Sequence, residues 1–154
     1  MLIEIFSLDI YENEGYIFIF PMSKLSSYGH FEELPSIKIN YKTTSTDVGK
    51  LILKASKKVR NYIFKENPFT EEEILKDIGA KKWVTFINKS CHCSVYQWKN
   101  SDKIIISPGY RSASGFEYGD ELEANLDDPQ DIGEKVLKAL QTYEPKYPTK
   151  KKKK

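Results

Sequence analysis

The residues best suited to chemistry stand together in "CHC", Cys91-His92-Cys93, which contains both cysteines and one of the two histidines of the chain. Thiolate and imidazole side chains could bind a metal or form a nucleophile–base pair. Spacing argues against both. On a β-strand alternate side chains point to opposite faces, so Cys91 and Cys93 share one side and His92 takes the other. A structural zinc needs four ligands, usually with C-x2-4-C pairs, and the only other histidine is His30. A disulfide between residues one apart would be strained. The expectation is two reduced thiols, buried or half-buried on a strand, with no metal and no cofactor.

The remaining chemical motifs are equally thin. "SYGH" around His30 is no nucleophile arrangement, and neither G-x-S-x-G nor G-x-x-x-x-G-K-[ST] occurs. "SPGYRSASGFEYG" lacks a spaced glycine fingerprint and reads as a mobile loop between strands. An enzyme would rest on "CHC" alone, so no catalytic residue is assigned and the protein is expected not to be an enzyme.

Charge is more informative. Of 24 basic residues five are the terminal Lys150–Lys154, leaving 19 against 22 acidic ones, a net of −3 for the body. The run 150–154 follows the turn-like "EPKYPT" and is expected to be disordered. Between Ser112 and Glu134 there are eight acids and no Lys or Arg. Asp128 and Asp131 belong to a helix start. Of the six others, Glu117, Asp120, Glu121 and Glu123 have Tyr110, Phe116 and Tyr118 nearby. Acids among exposed aromatics suit a surface for a basic protein, since charge speeds encounter and aromatic rings anchor the contact. The plainer alternative is a solvated acidic face.

The elements that must position these residues occur twice. "LIEIFSL" and "GYIFIFP" read as strands around the turn "DIYENE", followed by a variable stretch, the strand "PSIKINY" and a helix from about 45 to 61. "CHCSVYQW" and "KIIISP" flank "KNSD"; a variable stretch, "ELEANL" and a helix from about 129 to 142 follow. Pro21 and Pro108 are expected to close the second strand of each copy. The helices share Asp47/Asp131, Gly49/Gly133, Leu53/Leu137, Lys54/Lys138 and Ala55/Ala139, each pair 84 residues apart (133 against 49). Thr44 and Asp128 are N-cap residues three positions before an acid, and Pro129 suits the first helical position. Glycine within a helix costs roughly 1 kcal/mol against alanine; on the apolar face it lets a neighbouring backbone come close.

Residues 62–90 join the copies. "TEEEILKDIG" carries a capping box, Thr70 and Glu73, with Gly79 as its stop; "KKWVTFINKS" places Trp83, Phe86 and Ile87 at helical spacing. The organisation expected is one domain, 1–149, with repeats at about 2–61 and 91–142, a helical joining segment 62–90 and the tail 150–154. Its class is α+β: two β-β-β-α repeats forming a largely antiparallel central sheet with helices packed on it. No apolar run approaches the roughly 20 residues of a membrane span. The acidic N-terminus does not read as a signal peptide, so a cytoplasmic site is expected.

The strand order with "I-E-I-F…G-Y-I-F-I-F-P" in the first copy, and "K-K-W…F…S-V-Y…K-I-I-I-S-P…G-F…L…D-I-G-E-K-V-L-K-A-L" in the second, resembles the immunity proteins of bacterial contact-dependent growth inhibition systems, over about residues 2–142. The resemblance implies a cytoplasmic, non-catalytic inhibitor that binds the C-terminal toxin domain from a neighbouring cell, commonly a nuclease, and covers its active site. It carries over no shared site residues. The expected toxin-binding residues are therefore the acidic and aromatic ones, Tyr110, Phe116, Glu117, Tyr118, Asp120, Glu121 and Glu123, with no nucleic-acid or membrane partner and a monomer favoured. The alternative is a small nucleic-acid or regulatory protein-binding module that uses the basic tail.

Overall fold

The computed structural model describes residues 4–26, 29–60, 62–113 and 115–147; the lysine run 150–154, expected to be disordered, lies outside them. Strands β1 (Glu4–Asn13), β2 (Tyr16–Lys24), β3 (His30–Glu32) and β4 (Ile37–Asn40) precede helix α1 (Ser45–Ser56). Helices α2 (Glu71–Ile78) and α3 (Trp83–Asn88) form the joining segment. Strands β5 (Cys91–Trp98), β6 (Lys103–Ser112), β7 (Gly115–Tyr118) and β8 (Leu122–Asn125) then lead into helix α4 (Pro129–Leu140). The class is α+β, with an antiparallel eight-stranded sheet and helices packed on it.

Each copy has one strand more than the sequence pattern suggested. β1 and β5 pair at the centre, β2 and β6 flank them, and each flanking strand carries two short strands on its outer edge. Residues 16–19 of β2 pair with β4 and residues 22–24 with β3; residues 103–106 of β6 pair with β8 and 109–112 with β7. Pro21 and Pro108 therefore do not close their strands. Both sit where the outer partner changes, and their carbonyls accept the N–H of Glu33 (2.7 Å) and Gly119 (2.9 Å). Proline is tolerated there because the outer ladder is already interrupted. The turn expected at 9–14 is also shorter. Ile10 and Tyr11 are buried on opposite faces, which keeps the chain extended to Asn13, and the reversal is made by Glu14 (φ 50°) and Gly15 (φ 87°). Two residues at positive φ match the twist of a tight hairpin.

The helix ends follow their signals. Thr44 accepts from the Asp47 N–H and Asp128 from the Asp131 N–H. Thr70 and Glu73 form the reciprocal capping box, and Gly79 ends α2 in the left-handed conformation at φ 70°. α1 stops at Ser56 and α4 at Leu140, short of the expected ends. α1 and α4 lie against each other on one sheet face, over Leu8, Ile10, Ile17, Ile19, Val95, Ile104 and Ile106. Burying such side chains contributes about 1.5–3 kcal/mol each before entropy is counted.

The opposite face is treated unequally. Over the first copy, α2 and α3 cover Tyr11, Phe18, Phe20 and Met22 with Ile74, Ile78, Phe86 and Ile87. Among the described residues the second copy has no counterpart to α2–α3, so none of their helices covers the same face of β5, β6 and β8.

Candidate functional site

"CHC" folds as alternation requires. Cys93 is fully buried among the aliphatic side chains under α1 and α4, and Cys91 lies beside it, its thiol 3.6 Å from the Tyr143 carbonyl. Burial pushes the Cys91 thiol up to about 11 and the Cys93 thiol further above its ordinary value. Neither is a thiolate at neutral pH, so neither is a ready nucleophile. His92 points to the other face and is 2% exposed. Its Nδ1–H donates to the Ile10 carbonyl at 3.1 Å, and its Nε2 accepts from the Tyr118 hydroxyl at 3.1 Å. Desolvation lowers it to about 4, against a smaller upward pull from the Ile10 bond. A neutral imidazole with both nitrogens occupied positions Tyr118 rather than moving protons. His30 stands at the sheet's far edge, 3.3 Å from Glu4.

The acidic and aromatic residues are divided between the two faces by the ladder. Tyr110 pairs with Glu117 and Arg111 with Phe116. Tyr110 and Glu117 lie on the side of α1 and α4, where the Tyr110 ring meets Tyr143 at 4.8 Å and the hydrogen bond to Glu117 raises the Tyr110 hydroxyl's pKa. Phe116 and Tyr118 lie on the other side. Phe116 is half-buried against His92 (4.3 Å) and Tyr11 (6.0 Å), so it serves the core as much as the surface. Tyr118 remains 48% exposed. Glu121 and Glu123 project from this second face while Leu122 and Ala124 turn inward, as alternation in "ELEANL" predicts. Asp120 is exposed in the connection before β8. Six of the seven residues thus divide between two surfaces, and Asp120 lies in the connection between β7 and β8.

The second face gathers residues that sequence reasoning left out. Tyr96 donates its hydroxyl to Glu121; desolvation, then this bond, raises its pKa. Ser94, Tyr96, Ser107, Tyr118, Gly119 and Glu121 line an open, shallow cavity of about 400 Å³. Asp9 pairs across the ladder with Ser94 and stands 3.9 Å from His92 Nε2. Burial first, and then the charge of Glu32, raise Asp9 to about 7, although 21% of its side chain is still exposed. The signal was present in "CHCSVYQW", whose even-numbered residues His92, Ser94, Tyr96 and Trp98 form one polar and aromatic stripe.

A second cavity, of about 640 Å³, opens beside the joining segment. Lys38, Lys81, Lys82 and Lys89 rim a floor that includes Phe18 and Phe86. It is the basic counterpart to the acidic face, on the other copy.

No protein-family model matches the chain, and no curated protein matches it in sequence. Solved structures do share its fold. A protein of unknown function from Neisseria meningitidis is 17% identical, with a TM-score of 0.66 over 89% of this chain and 93% of that one. A chain of a CdiA-CT/CdiI toxin and immunity complex from Yersinia pseudotuberculosis is 14% identical, with a TM-score of 0.64 over 91% of this chain and 98% of that one. At such identities the likeness establishes a common fold spanning nearly the whole of each chain.

Proposed function

We propose that this protein is an immunity protein of a contact-dependent growth inhibition system, which binds the C-terminal domain of a cognate toxin and blocks its active site. The observation that carries the reading is the fold shared with a chain of a toxin and immunity complex along 91% of the sequence. The surface chemistry supports it, since carboxylates among exposed tyrosines are a sensible counterpart for a cationic enzyme. Nucleases are cationic because they bind phosphates, which makes a nuclease the toxin class favoured here. The toxin-facing residues proposed are Tyr118, Glu121 and Glu123 on one face, Asp120 in the connection before β8, Tyr110 and Glu117 on the other face, and Phe116 supporting the first.

In this reading the protein works in the cytoplasm, without turnover and without a cofactor. No helix among the described residues is long and apolar enough to cross a membrane. Cells that produce the toxin domain encoded beside this gene should grow only when this protein is co-produced, and the two should co-purify. A neighbouring product that is neither toxic nor bound would sink the reading. The basic-tail alternative predicts nucleic-acid binding with a steep salt slope that vanishes when residues 150–154 are removed.

A further inference from the structure

The two copies can be aligned residue by residue from their ladders. Leu8 pairs with Pro21 in the first hairpin and Cys93 with Pro108 in the second. Counting outward from these pairs, Asp9 corresponds to Ser94, Tyr11 to Tyr96, Phe18 to Ile105, Phe20 to Ser107 and Met22 to Gly109. In the first copy Tyr11, Phe18, Phe20 and Met22 of this surface lie beneath α2 and α3. In the second, Ser107 stands where Phe20 would be, and Gly109 where Met22 would be. A Cβ on Gly109 would come within 2.6 Å of the His92 ring. The cavity at Ser94, Tyr96 and Ser107 is the space that the missing phenyl ring and the missing helical layer leave.

That space has a definite chemical character. Tyr96 and Tyr118 stand at its sides, Glu121 is at its rim, and Ser94 and Ser107 supply hydroxyls. Asp9 adjoins it through Ser94, and Glu123 projects from the same face. Two cations of this face are already engaged: Arg111 donates to Asn88 Oδ1 and lies over Phe116, and Lys103 donates to Asn125. Aromatic rings with a carboxylate at hydrogen-bonding range suit a planar, weakly hydrated cation better than a compact one.

We propose that the uncovered half of this sheet face docks a basic protein segment, which takes the place that α2 and α3 occupy on the first half. One arginine side chain of that segment enters the cavity, its guanidinium against Glu121 and between the reach of Tyr96 and Tyr118. The identity of the segment as part of a toxin rests on the function proposed above; the preference for a guanidinium does not.

The test uses the full chain, isotopically labelled, with N-acetyl-arginine amide as the probe and the neutral citrulline analogue as control. Amide shifts at Ser94, Tyr96, Ser107 and Glu121 should saturate with the arginine probe and stay unmoved with citrulline. Glu121→Gln should weaken binding at least fivefold. Ser107→Phe, which restores the bulk of the first copy, should abolish it, and spectral dispersion reports whether either variant remains folded. Shifts that do not saturate, that appear equally with citrulline, or that centre elsewhere overturn the assignment. So does undiminished binding in whichever variant remains folded. A toxin still captured by folded Ser107→Phe protein would move the docking site while leaving the immunity reading intact. A saturating arginine response with no toxin captured would do the reverse.

Discussion

Gly49 and Gly133 are reciprocal: each lies against the first residue of the other's helix. A Cβ on Gly49 would fall 1.7 Å from the carbonyl oxygen of Pro129, and a Cβ on Gly133 would fall 1.7 Å from that of Ser45. Pro129 opens α4 and Ser45 opens α1, so the repeat closes on itself about a local two-fold relation. Since the obstacles are backbone atoms, no rotamer change can make room.

Gly49→Ala and Gly133→Ala should therefore each destabilise the fold, against the usual gain in helix propensity of about 1 kcal/mol. Separating the helices exposes shared apolar surface, and a loss of ~3–5 kcal/mol is expected, in the range of severe core defects. Urea unfolding checks this. An unchanged midpoint in either variant would contradict the close approach.

The Arg60–Glu33 pair should prove asymmetric. Arg60 donates to both Glu33 oxygens at 2.6 Å, while Ser23 Oγ donates to Glu33 and accepts from the Arg60 N–H. The Glu33 side chain is 8% exposed and that of Arg60 is 42% exposed. Arg60→Ala leaves a buried carboxylate short of its cation and should cost ~3 kcal/mol, whereas Glu33→Ala frees a solvated guanidinium and should cost less. Stability of the double variant, measured in the same urea assay, should exceed the additive expectation.

Asp9 and His92 should oppose one another in pH dependence. His92 is lowered in the fold, so its contribution is complete above about 6.5 and declines as pH falls toward about 4; that decline is worth about 3 kcal/mol. Asp9 is raised to about 7, so its contribution is greatest at low pH and is lost as pH rises from about 3.8 to about 7. Between pH 4 and 6.5 the two largely cancel. Asp9→Asn removes one side of the balance. Relative to the natural protein it should gain stability as pH rises from 4 to 7, by about 2 kcal/mol once Asp9's partial exposure is considered. Thermal melts across that range decide it, and a pH-independent difference would refute the assignment.

Charge reversal should divide the acidic residues by face. Glu121→Lys with Glu123→Lys is expected to weaken partner association about tenfold or more at low salt, largely through slower association. Reversal of Glu117, which faces the helix side beside Tyr110, should have a smaller effect. Stability should change little in both cases. Surface plasmon resonance at two salt concentrations distinguishes the outcomes; equal losses would return the two surfaces to one.

Much of the architecture was legible in residue order. Helix starts were readable because Thr44, Thr70 and Asp128 act on their own next turn, a local interaction that any neighbouring context leaves intact. The repeat was readable because two copies must satisfy the same close packing with the same glycine. The short strands β3 and β7 were not readable: three or four residues hold no periodicity, and only pairing to the outer edge of a longer strand makes them extended. Pro21 and Pro108 misled for a related reason, since their effect depends on which strand lies alongside. The divergence of Cys91 and Cys93 from His92 followed from alternation alone.

The chemical groups of the candidate surface were set by sequence, but their grouping was not. Composition identified the acidic and aromatic stretch. Pairing of β7 with β6 then sent Tyr110 and Glu117 to one side and Phe116 and Tyr118 to the other, while β8 brought Glu121 to Tyr96, 25 residues away in sequence. The sequence by itself determined the α+β repeat, the capped helices and the acidic character of the body, because those depend on neighbours or on simple periodicity. Only the tertiary structure decided which half of the sheet is covered. That follows from a single joining segment, which can pack on one copy's face and leaves the other's cavity, where Ser107 replaces a phenylalanine, open.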